Sequence, residues 1–220
     1  MTSKKSDAAA IHWFRKGLRL HDNPSLTYAI NNAKKVYPIF ILDPNIKSFL
    51  LCSPNRWRFL LQSLQNLDEN LRKYNSRLFV IRGEPIKVLP DLINQWNIKL
   101  LTFESDTEPF AIKRDESVKK KLTSIEIVSH VSHTLYDIKQ LCATSYPKGI
   151  PATFQGFQSL IEKAGAPLKP LEEPDFSKLI PFDQSDLNDE IMVTTVPTLE
   201  ELKIDEQTEC GNRFSNSLTV

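Results

Sequence analysis

Glycine is scarce in this chain, six residues in 220, and their positions exclude several enzyme classes. No G-x-G-x-x-G follows the first apolar run and no G-x-x-x-x-G-K-[ST] occurs, so the usual backbone cradles for dinucleotides and nucleoside triphosphates are missing. No G-x-S-x-G occurs either, which removes the α/β-hydrolase nucleophile elbow. The three cysteines, Cys52, Cys142 and Cys210, are far apart and odd in number, so neither a disulfide framework nor a zinc cluster is expected. His130 and His133 are spaced like metal ligands but lack an evident third partner, and no metal site is expected. No stretch approaches the length of a membrane span, and residues 1–10 lack the apolar run of a signal peptide. The sequence therefore reads as a soluble protein of the nucleus, the cytoplasm or both, with no membrane partner.

The formal net charge of +1 conceals an uneven distribution. Residues 1–170 carry 25 basic against 15 acidic side chains, whereas residues 171–209 carry 2 against 12. A basic body thus carries an acidic tail. A basic body suits an anionic partner such as nucleic acid, and equally a well-solvated surface.

Apolar periodicity supplies the architecture. Residues 10–14, 36–42, 77–82, 99–103 and 125–129 are short apolar runs that read as strands, with Pro38 arguing mildly against a central place for the second. Between them, Pro24 opens a helix bearing Leu26 and Ile30. Trp57, Leu60, Leu61, Leu64, Leu67 and Leu71 mark the clearest helix, and Ile86, Leu89, Leu92, Ile93 and Trp96 the next. Residues 109–122 give a more charged helix. Continuous apolar strands alternating with helices predict an α/β fold, a doubly wound, Rossmann-like parallel sheet of five strands in the order 3-2-1-4-5. The expected division is a loose leader over residues 1–9, an α/β domain over 10–135, a loop and short helix completing it over 136–170, and an irregular acidic linker with a divergent tail over 171–220.

A doubly wound sheet binds ligands beyond the carboxyl ends of its strands, where the strand order reverses. That rule selects residues 15–23, 43–54, 83–85 and 104–108. In the first loop, Arg15, Lys16 and Arg19 precede Asp22 and Asn23. They fit an anion site, or a structural loop in which Arg19 pairs with Asp22 while Asp22 or Asn23 caps the helix at Pro24. Asp106 and Glu108 stand just past the fourth strand. They suit hydrogen-bond donors of a ring or of hydroxyls, or cap the helix that begins near Pro109. No partner base accompanies them, so no catalytic residue is assigned.

Several longer motifs carry a resemblance. His-Trp-Phe-Arg-Lys-Gly-Leu-Arg-Leu-His-Asp-Asn-Pro (12–24) is joined by Pro-Ile-Phe-Ile-Leu-Asp-Pro (38–44), Asn-Arg-Trp-Arg-Phe-Leu (55–60), Ser-Arg-Leu-Phe-Val-Ile-Arg-Gly (76–83) and Leu-Thr-Phe-Glu-Ser-Asp-Thr-Glu-Pro-Phe (101–110). Arg114-Asp115 and Ser-His-Thr-Leu-Tyr (132–136) follow. Together they resemble the amino-terminal part of the photolyase/cryptochrome family, in wording the animal branch, with the 6-4 photolyases first and the animal cryptochromes second. The resemblance implies an α/β domain that holds an antenna chromophore, a deazaflavin or a folate, for light harvesting in light-dependent DNA repair. It further implies that Phe40, Arg56, Asp106 and Glu108 contact that chromophore, although Arg56 also suits a pairing with an acid at the helix start. In the family, FAD and the DNA-binding face belong to a helical half whose glycine-rich opening does not appear after residue 207. The chain is therefore expected to be a truncated antenna domain, not competent for repair alone. DNA is a partner of the full-length family, and clock proteins are partners in an alternative cryptochrome-type role as a blue-light receptor or interaction fragment.

Overall fold

The computed structural model describes residues 9–44, 54–145, 149–176, 179, 193–202 and 204. Most of the leader, most of the loop 43–54 and most of the tail lie outside the described residues. Five parallel strands form the centre: β1 (Ala9–Phe14), β2 (Lys35–Leu42), β3 (Phe79–Arg82), β4 (Ile98–Glu104) and β5 (Glu126–His130). Their order is β5-β4-β1-β2-β3, the expected doubly wound arrangement. Helices α1 (Pro24–Asn32), α2 (Pro54–Arg72), α3 (Pro85–Gln95) and α4 (Pro109–Lys121) are the crossovers. All four begin with proline, whose fixed φ and missing N–H suit the first turn.

Side chains alternate across the strands with period two. Ala10, Phe14, Val36, Phe40 and Val80 join Leu26 and Ile30 of α1 and Trp57, Leu61, Leu64, Leu67 and Leu71 of α2 on one face. Ile11, Trp13, Ile39, Ile41, Phe79, Leu101 and Phe103 meet Leu89, Leu92 and Ile93 of α3 and Val118 of α4 on the other. Pro38 does lie in a central strand, and its position explains the tolerance. β3 begins to pair with β2 only at Ile39, so Pro38 lies before the ladder on that side. Gly83 ends β3 at φ +144, and a Cβ there would lie 2.5 Å from Val88 Cγ1. The turn into α3 thus demands glycine on both backbone and steric grounds.

Two features depart from the sequence reading. Helix α5 (Ile138–Ser145) precedes α6 (Phe154–Ala164), where only the second was expected. α5 buries no residue, so it leaves no core stripe in the sequence to reveal it. The described residues of the tail also include ordered elements that its composition does not announce. A sixth strand, β6 (Val193–Thr194), pairs antiparallel with β3. Phe176, Leu179, Leu199 and Leu202 are buried in the same core cluster as the apolar residues of α1 and α2. These apolar residues are too widely spaced to register as periodicity. Thr198 and Glu201 form a reciprocal capping box, the Thr198 amide donating to Glu201 Oε2 and the Glu201 amide to Thr198 Oγ1.

Candidate functional site

The strand order reverses between β1 and β4, and the loops after these strands face each other across the resulting crevice. The protein's own polar groups bridge that crevice at three depths. Deepest is Arg15, the first residue after β1. Its guanidinium donates to Asp115 Oδ1 at 2.5 Å and to the Glu104 carbonyl, with side chains 6% and 11% exposed for Arg15 and Asp115. It also lies over the rings of Trp13 and Phe103, 5.1 and 4.6 Å from their centroids. Burial pushes the Arg15 guanidinium below its ordinary pKa, and Asp115 opposes that shift. Arg114 shares the same carboxylate oxygen.

At the middle level, the buried Glu104 carboxylate accepts from the Gly17 amide at 3.0 Å and from Ser132 Oγ at 2.5 Å. A Cβ at Gly17 would lie 3.0 and 3.1 Å from the two Glu104 oxygens, so a larger residue would press on that carboxylate. At the rim, Lys16 Nζ lies 3.0 Å from Asp106 Oδ1 and 2.9 Å from Glu108 Oε1. Burial acts to raise the Asp106 pKa, but the Glu108 amide and the Lys16 ammonium outweigh it and hold the carboxyl below its ordinary value. Lys16 moves the other way: burial acts to lower it, and its bonds to Glu108 and Asp106 leave it raised.

The structure therefore brings Lys16, Asp106 and Glu108 together, a grouping that sequence separation conceals. At the start of α4 the two acids differ. The side chain of Glu108, the residue at the cap position of α4, makes no capping bond, and Asp106 Oδ1 accepts from the Glu108 amide just ahead of the helix. The first-loop residues take the structural role. Asn23 caps α1 by accepting from the Leu26 amide. Arg19 Nη2 donates to the Asp22 carbonyl at 2.9 Å, to Asp22 Oδ2 at 3.3 Å and to the Ser132 carbonyl at 2.9 Å. Asp22 itself adopts φ +47 and accepts from the Leu171 amide. Arg15, Lys16 and Arg19 are all held by oxygen acceptors of the protein itself, so the loop is tied to its neighbours by its own charges.

The other two candidates are elsewhere. Phe40 is buried in the core on the α1/α2 face of β2. β1 separates β2 from β4, so the axes of those two strands are about 10 Å apart. Arg56 is exposed in the first turn of α2 and makes no ion pair with any described residue, so the expected pairing with an acid at the helix start is not formed among them. Sequence reasoning missed His12. It is buried on β1, where Nε2 faces the Asn23 amide nitrogen and Nδ1 faces Thr102 Oγ1 at 2.9 Å. Since the Asn23 nitrogen donates, the Nδ1–H tautomer donates in turn to Thr102. Burial, reinforced by the Arg15 charge, pushes the His12 pKa down to about 3, so the ring is neutral. Its place among Ile11, Trp13 and Phe14 reads as plain strand; its polar role comes from the cap residue Asn23 and from Thr102 on β4.

No three His, Cys, Asp or Glu side chains among the described residues are grouped to hold a metal. His130 Nδ1 lies 3.1 Å from Ser25 Oγ, and His133 Nε2 is 3.5 Å from Thr107 Oγ1. No described helix is long and apolar enough to cross a membrane.

A family model described as DNA photolyase matches residues 10–175, a stretch that takes in the parallel strands from Ala10 onward, helices α1 to α6 and every candidate residue. The chain belongs to the DNA photolyase family. Cryptochrome-1 of Rattus norvegicus is 45% identical over 204 residues, 89% of this chain and 34% of that protein. Cryptochrome-2 of Gallus gallus is 42% identical over 197 residues, 88% of this chain and 33% of that protein. The chain thus spans about a third of the length of these relatives. Among solved structures, the cryptochrome of Synechocystis sp. is 27% identical with a TM-score of 0.69, covering 90% of this chain and 41% of that one. The archaeal photolyase of Sulfolobus tokodaii, solved with two FAD molecules and an implied novel light-harvesting cofactor, is 29% identical with a TM-score of 0.63, covering 76% and 37%.

Proposed function

We propose that this chain is a light-harvesting module that binds an antenna chromophore, a deazaflavin or a folate, at the crevice between β1 and β4. The observation that carries this reading is the pair Asp106 and Glu108 at the carboxyl end of β4, within a chain of the DNA photolyase family. Carboxylate oxygens at a ligand edge accept hydrogen bonds from ring N–H groups and hydroxyls, so the acceptor set fits a fused heteroaromatic. When bound, the chromophore supplies the absorption; the protein's task is to fix its position and orientation on a rigid sheet. Arg15, Gly17 and Glu104 perform that task by locking the two loops to one another. Arg56, exposed at the start of α2, would supply a cation from the β2–α2 side, and Phe40, buried near the end of β2, would act only as apolar support there.

The activity of a whole photolyase is a further proposal: repair of pyrimidine photoproducts by the 6-4 route, with FAD and DNA bound by a helical half. A second reading is a cryptochrome-type light receptor or clock-protein interaction module. The 45% identity to the cryptochrome-1 of Rattus norvegicus is the observation in its favour.

The test is an absorption and emission spectrum of the 220-residue chain after separate incubation with deazariboflavin, methenyltetrahydrofolate and FAD, followed by gel filtration. Retention of deazariboflavin or methenyltetrahydrofolate supports the proposal. Retention of neither, or of FAD alone, refutes it.

A further inference from the structure

The acceptors assigned to the chromophore already have an occupant. Lys16 Nζ bonds both Asp106 Oδ1 and Glu108 Oε1, at 3.0 and 2.9 Å. The three partners differ in freedom. The Asp106 side chain is 7% exposed and anchored by the Glu108 amide, whereas the Lys16 side chain is 45% exposed and reaches the site on a flexible stem. Glu108, 66% exposed, is freer still. Asp106 is thus the fixed acceptor of the bridge, and the Lys16 ammonium is a displaceable partner on it. An oxygen lone pair used by Lys16 is not open to a ligand N–H in the same direction. The bridge also joins loops that are 90 residues apart in sequence.

We propose that Lys16 is an internal competitor at this crevice: its ammonium occupies the acceptors that the donor edge of a fused heteroaromatic chromophore would use, so chromophore binding and the Lys16–Asp106–Glu108 bridge exclude one another. The inference rests on the reading of Asp106 and Glu108 as chromophore acceptors. It makes Lys16 a residue that sets affinity and specificity. A ligand edge of donors gains entry only by displacing the lysine, whereas an edge of acceptors alone finds an ammonium to bind and leaves the bridge in place.

The experiment is a fluorescence titration of the 220-residue chain with deazariboflavin and methenyltetrahydrofolate, using the unaltered protein, Lys16→Met, Lys16→Arg and Asp106→Asn. Lys16→Met keeps the stem and removes the competitor, and is expected to bind about two- to fivefold more tightly, the worth of an exposed ion pair. Lys16→Arg can grip the carboxylates with its planar fork and is expected to bind more weakly than the unaltered chain. Asp106→Asn is expected to lose about tenfold or more. Unchanged or weakened binding by Lys16→Met, with Asp106→Asn still impaired, overturns the competitor and leaves the site assignment standing. Undiminished binding by Asp106→Asn overturns the assignment itself, and the competitor with it. A readout without ligand completes the test: in Lys16→Met the Asp106 carboxyl, followed by NMR, should titrate nearer its ordinary value. No movement would mean that the bridge does not form, which also overturns the inference.

Discussion

Asp115→Ala is expected to destabilise the chain out of proportion to its modest size. Asp115 compensates a guanidinium whose side chain is 6% exposed, and its own side chain is 11% exposed. Removing one member of such a pair leaves the other charge buried, a cost of about 3–5 kcal/mol. Two features limit the loss. Arg15 keeps its bond to the Glu104 carbonyl and its place over Trp13 and Phe103. Arg114, 19% exposed, can turn toward water when it loses the same carboxylate. The lower end of the range, about 3 kcal/mol, is therefore the expectation. That is a large share of the roughly 5–15 kcal/mol that holds a domain folded. The assay is urea unfolding followed by tryptophan emission. The double variant Arg15→Met/Asp115→Ala should recover more than about 1 kcal/mol relative to the sum of the single changes, because it removes the stranded charge. A loss under about 1 kcal/mol for Asp115→Ala, or strict additivity in the double variant, would refute the reasoning.

Asn23→Ala removes the α1 cap and the donor that faces His12, and should cost about 1–2 kcal/mol in the same assay, where a loss below about 0.5 kcal/mol would deny the cap its role. His12 gives a pH signature. A histidine held near 3 when folded and near 6.5 when unfolded contributes stability that is complete above pH 6.5 and declines as pH falls toward 3, at up to about 1.4 kcal/mol per pH unit. Replacing His12 with glutamine should flatten that part of the stability profile, and an unchanged slope between about pH 6 and 4 would contradict the assignment. Leu64→Ala, at a fully buried position of α2, should cost about 2–5 kcal/mol in urea, with the extent set by how far the core collapses.

The fold was legible because its signals are local. The leucine stripe of α2, the prolines that open four helices and the uninterrupted apolar strands each lie within a few residues of sequence. The site was legible only in its location. The sheet rule selects the loops at 15–23 and 104–108, but the partner of each charge is fixed by folding: Arg15 finds Asp115, and Lys16 finds Asp106 and Glu108, across 90 to 100 residues. The same long range hid the buried part of the tail, where Phe176, Leu199 and Leu202 stand among acidic neighbours in sequence and join the core only in the fold. His12 was hidden for the opposite reason: an apolar strand surrounds it, and its hydrogen bonds come from a cap and from β4.

The central claim concerns where a chromophore binds, so the decisive measurement is a map of amide chemical shifts in the 220-residue chain as deazariboflavin and then methenyltetrahydrofolate are added. The account predicts that the shifts concentrate at Lys16, Gly17, Ser105, Asp106, Thr107 and Glu108, around the crevice between β1 and β4. Shifts confined to the exposed apolar side chains of α5 and α6, such as Ile138, Phe154 and Phe157, with the crevice unmoved, would contradict it.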